Sequence, residues 1–115
     1  MTFRFRHFPA VLVASLVSVL LAGQAPVSDD DKAQRDRGQV VVTKNCASCH
    51  AVERRGASPR ADAPAFRTLG RRYPVESLEE ALGEGIISGH PDMPEFIFTG
   101  EDVGAIIAYL KAIQE

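Results

Sequence analysis

Residues 10–22 form the longest apolar run in the chain, broken only by Ser15 and Ser18. Arg4 and Arg6 stand ahead of it, and no acid occurs before Asp29. A basic start, an apolar stretch too short to span a bilayer comfortably, and small residues at Gly23 and Ala25 predict a secretory signal over residues 1–25. Pro26 is a poor neighbour for a signal peptidase, so an uncleaved anchor stays open as the alternative. Either way residues 26–115 form one exported domain.

Beyond the signal the hydrophobic spacing is helical, with little strand pattern. Asp29, Asp30 and Asp31 offer N-caps for a helix running towards Cys46. A short helical piece is expected around Phe66–Arg71, between Pro64 and Pro74. Val75, Leu78, Leu82 and Ile86 recur at helical offsets, so one helix face is apolar there, and Gly83 and Gly85 weaken its end. Gly89, Pro91 and Pro94 punctuate the next stretch as a loop. The closing helix is the clearest. Thr99 caps it with Asp102 three residues on, and Val103, Ile106, Ile107, Leu110 and Ile113 form its core stripe.

Charge sharpens this picture. The whole chain has 13 basic and 15 acidic residues; without residues 1–25 the count is 11 against 15, a net −4. Six arginines and one acid occupy residues 54–72, whereas residues 73–110 hold eight acids and no Lys or Arg. The balance argues against nucleic acid, and the separation of signs suggests a dipolar molecule able to orient on a charged partner.

The distinctive chemistry lies at NCASCH, residues 45–50, which holds both cysteines of the chain. A disulfide is the usual fate of two exported cysteines. A thioredoxin-like dithiol would need a βαβ setting, which is missing. Zinc would need two further ligands, and His50 and His90 are the histidines available, with His50 awkwardly adjacent to Cys49. The remaining reading is Cys-x-x-Cys-His as a covalent haem attachment. Cys46 and Cys49, three apart, share a helix face and reach two vinyl groups on one porphyrin edge, while His50 presents its imidazole to the iron. Met93, between Pro91 and Pro94, is the expected sixth ligand and His90 its rival. A thioether favours the ferrous state and raises the potential, where a second imidazole lowers it.

These residues resemble the small monohaem class I cytochromes c of the bacterial periplasm. The likeness rests on Gly38 eight residues before CASCH, on CASCH itself, on PDMPEF, and on DVGAIIAYLKAI as the last helix. It implies an all-α bundle of about three to five helices wrapped around one covalently bound haem c. In such proteins the first and last helices cross closely, here matched by Gly38 against Tyr109 and Leu110, with Val42 where the family often has an aromatic. The resemblance also matches Pro64 to the proline whose carbonyl accepts the ligand histidine's Nδ1–H. It offers Phe66, Leu69, Leu78, Leu82, Ile86 and Phe96 as the porphyrin wall, and Arg60, Arg71, Arg72 and Tyr73 as candidates for the propionates. With both axial positions filled, no substrate reaches the iron. The expected role is then a non-enzymatic periplasmic carrier passing single electrons between redox partners such as a respiratory complex, an oxidase or a dehydrogenase. Membrane contact is expected only through an uncleaved anchor. A haem enzyme or gas sensor with a displaceable Met93, and a cytochrome subunit of a larger dehydrogenase, are the alternatives.

Overall fold

Ser28 starts the first helix. Its hydroxyl accepts the Asp31 backbone N–H at 3.1 Å, so the aspartates expected as caps lie instead within the first turn, where their charge favours the positive end of the helix. The computed structural model describes residues 28–85 and 92–115. The proposed signal over residues 1–25, Ile86 and His90 lie outside the described residues. Among the described residues three α-helices, α1 (Asp29–Cys46), α2 (Glu79–Glu84) and α3 (Gly100–Ile113), are accompanied by 3₁₀ turns at Phe66–Arg71 and Val75–Leu78. Among the described residues there is no strand, as the sequence predicts. No helix among them is long and apolar enough to cross a membrane.

The helix α1 buries only Gly38 and Val42, and Val40 is 66 % exposed, so its own composition gives it almost no core face. Packing on α3 fixes it. That helix is its opposite. Thr99 Oγ1 accepts the Asp102 N–H at 3.2 Å, and all five residues of the expected stripe are buried, with Ala105 and Tyr109 beside them. Where the helices cross, Ala105 and Tyr109, one turn apart, flank Gly38, while Leu110 turns towards the internal cavity. Arg37 bonds Glu101 and, at 2.9 Å, Asp102, and this partner holds the Asp102 carboxyl below its usual range. Exposed pairs of this kind contribute little stability and serve chiefly to set alignment.

The apolar face begun by Val75 is not one continuous α-helix. The chain leaves Pro74 as a 3₁₀ turn and relaxes into α2 only at Glu79, with Gly85 ending it at φ 115°. The charge segregation read in the sequence runs along α3. Glu101 and Asp102 open it, whereas Arg54 donates to the Ala112 carbonyl near its far end and Arg67 and Arg71 pair with Glu115 just beyond. Both arrangements suit the helix dipole.

Tyr109 ties α3 to the segment after the cysteine motif. Its buried hydroxyl donates to the Val52 carbonyl at 2.9 Å, and burial, with the Glu53 carboxylate beside it, pushes the phenol up to about 12. A raised pKa contributes stability that is complete below the unfolded value near 10 and lost as pH rises through about 12. Wild type should therefore lose stability relative to Tyr109→Phe over that window, measured by urea unfolding at successive pH values. Equal pH dependence of the two would discard the effect. At neutral pH the variant should be weaker by about 1–3 kcal/mol, because the Val52 carbonyl is left without its partner.

Candidate cofactor site

Cys46 is the last residue of α1, and the helix continues as a turn. The N–H groups of Cys49 and His50 both bond to the Cys46 carbonyl, at 3.2 and 2.9 Å. This turn keeps the three residues together beyond the helix end. Asn45 bonds back to the Val41 carbonyl at 2.8 Å, and Ser58 Oγ accepts the Ala51 N–H at 2.9 Å, closing the loop that follows. The second contact has no signature in the sequence, since a serine seven residues away carries no periodic signal.

His50 Nδ1 lies 2.8 Å from the Pro64 carbonyl oxygen. A carbonyl can only accept, so Nδ1 carries a proton, and in the neutral imidazole Nε2 keeps the free lone pair. Phe66 flanks the imidazole, with ring centroids 4.8 Å apart and planes tilted by 38°, and its N–H bonds to the Ala51 carbonyl at 2.9 Å. The segment from Pro64 to Phe66 thus grips the histidine by a hydrogen bond and a ring contact, and its neighbour Ala51 by a backbone bond.

Cys46, Cys49, His50, Pro64 and Met93 all line one cavity of about 590 Å³. Its apolar wall contains Phe66, Leu69, Leu78, Leu82 and Phe96, five of the six wall residues expected from sequence. Val42, Phe98, Ile106 and Leu110 also line it, so α1, α2 and α3 all contribute. Of the residues offered for the propionates, Arg60 and Tyr73 line the cavity. Arg71 and Arg72 do not, and Arg71 is engaged with Glu115 at 3.0 Å. Arg60 bonds both Asp62 (2.8 Å) and Asp92 (2.7 Å), joining the loop before Pro64 to the segment that carries Met93.

The cavity suits a large flat apolar group with a few fixed polar contacts. Burial pushes the Cys46 thiol up to about 11, so at neutral pH it is a neutral thiol. Among the described residues no three His, Cys, Asp or Glu side chains are grouped as a conventional metal site. Two thiols beside an imidazole with a free nitrogen, in a cavity of this volume and polarity, fit haem.

The cytochrome c family profile matches residues 35–114, and the chain belongs to that family. It is a small bacterial class I cytochrome c, whose family binds covalent haem c and transfers electrons to redox partners, and Cys46 and Cys49 have the spacing for a single haem. Cytochrome c-552 of Bradyrhizobium diazoefficiens is 31 % identical over 98 residues, covering 85 % of this chain and 92 % of that protein. No solved structure matches the chain.

Proposed function

We propose that this protein is a periplasmic one-electron carrier, not an enzyme, in which His50 and Met93 hold the iron of a haem joined to Cys46 and Cys49. The observation that carries the reading is the 2.8 Å contact between His50 Nδ1 and the Pro64 carbonyl, which leaves Nε2 as the donor and increases its basicity. When bound, the haem supplies the ferric–ferrous couple. The chain's own residues supply a fixed imidazole, a thioether from Met93 that favours the reduced state, and an apolar wall that excludes water. Export is supported by the pattern of residues 1–25, and recovery of the haem-stained protein in the periplasmic fraction is its test.

The ferric protein should show the weak charge-transfer band of a methionine–iron bond, and its ferrous form should bind carbon monoxide slowly. Met93→Ala should abolish the band, open the site to carbon monoxide and lower the midpoint potential by on the order of 0.1 V, within the ~0.8 V that axial ligands span. A Met93→Ala protein with an unchanged spectrum would pass the sixth position to another residue and end this reading.

A further inference from the structure

Gln114 and Glu115, just past α3, reach back to the 3₁₀ turn Phe66–Arg71. Gln114 Oε1 accepts the Gly70 N–H at 2.7 Å, while Nε2 donates to the Phe66 carbonyl at 3.0 Å and to the Leu110 carbonyl at 2.7 Å. One partner can only donate and two can only accept, so the amide has a single orientation that satisfies all three. The Glu115 N–H bonds to the Arg67 carbonyl at 3.1 Å, and its carboxylate pairs with Arg67 at 2.9 Å and Arg71 at 3.0 Å. Gly70 makes room, because a Cβ there would lie 2.9 Å from Gln114 Oε1.

A six-residue 3₁₀ turn has poor internal hydrogen bonds and does not hold itself. Its near end begins at the Pro64–Phe66 segment that grips His50, and Gln114 and Glu115 hold it at both ends, at Phe66 and Arg67 and again at Gly70 and Arg71. We infer that Gln114 is a positioning residue for His50. By clasping Phe66–Arg71 to α3 it fixes the Pro64 carbonyl and the Phe66 ring, and through them the rotation of the imidazole about its Cβ–Cγ bond. This rests on the reading of His50 as the iron ligand. Neither Gln114 nor Glu115 touches the cavity, so the effect is transmitted through the turn.

The test uses the holo-protein and the hyperfine-shifted haem methyl resonances of its ferric form, which report the orientation of the ligand imidazole, together with the midpoint potential. Gln114→Met keeps the chain length and removes all three bonds; Gly70→Ala intrudes on the same contact from the other side. Both should shift the methyl pattern and the potential in the same direction. The double variant should go little further than the larger single one, since both break one contact. Val103→Ala truncates a core residue of α3 that does not line the cavity. It should lower the melting temperature while leaving the methyl pattern unchanged. If Gln114→Met fails to mature, Gln114→Glu, which retains the acceptor for Gly70 but turns a second acceptor towards the Phe66 and Leu110 carbonyls, should shift both readouts in the same direction. A Gln114 variant that melts earlier with wild-type methyl shifts and potential overturns the clasp alone. A parent protein without histidine-bound iron overturns the clasp and the proposed ligation together.

Discussion

In the absence of haem, a Cys46→Ala/Cys49→Ala chain will lose most of its far-ultraviolet helix signal at neutral pH and melt without a cooperative transition. The cavity of about 590 Å³ is not a side pocket. Val42 of α1, Leu69 of the first 3₁₀ turn, Leu82 of α2 and Ile106 of α3 belong to both its wall and the main core cluster. Leaving such a space unfilled costs ~24 cal/mol per Å³, which for this volume is on the order of 10 kcal/mol even after allowing for its open side. A small domain has a total stability of about 5–15 kcal/mol, so the cost consumes most or all of it. α1 cannot survive alone, because it buries only Gly38 and Val42, and helical stability in a protein comes mainly from packing of an apolar face rather than from propensity. A sharp thermal transition in the haem-free variant would show that the helices pack without the cofactor, and the account of the core would be wrong.

Much of this site was legible in the sequence because its information is local. Cys46, Cys49 and His50 lie within five residues, and a three-residue spacing at a helix end has few chemical uses. Thr99 with Asp102, and the stripe from Val103 to Ile113, were readable for the same reason: cap and core face repeat within a few residues. Pro64 came from the family resemblance, and no spacing rule would place its carbonyl on His50 fourteen residues away. What could not be read is what depends on distance or on competition between near-equivalent neighbours. Ser28 and the three aspartates after it are all competent caps, and the extended backbone at Ser28 decides among them. Val75 to Leu82 has α-helical spacing, yet Pro74 and the wall of the cavity favour a tighter first turn. Gln114 is 44–48 residues from the groups it bonds in the 3₁₀ turn, and a lone glutamine after an apolar helix carries no sequence signal.

Gly38→Ala should destabilise the protein by about 2–4 kcal/mol, against the direction helix propensity alone predicts. In an exposed helix interior the change from Gly to Ala gains up to ~1 kcal/mol. Here the new Cβ would lie 2.6 Å from the Ala105 carbonyl carbon and 2.8 Å from Tyr109 Cβ. Neither atom can rotate aside, since one is backbone and the other is fixed to it within α3. The helices must separate, which exposes Val42, now 1 % accessible, and strains the Arg37–Asp102 pair. Overpacking of this kind costs ~1–3 kcal/mol, and loss of the adjoining core contacts adds to it. Gly104 lies one residue before Ala105, on the exposed side of the same helix, and a Cβ there meets nothing within 4 Å. Gly104→Ala should therefore stabilise by ~0.5–1 kcal/mol. Urea unfolding of the two holo-variants decides the matter: opposite signs place the α1–α3 crossing at Gly38, and matching signs would mean that the crossing tolerates a methyl group.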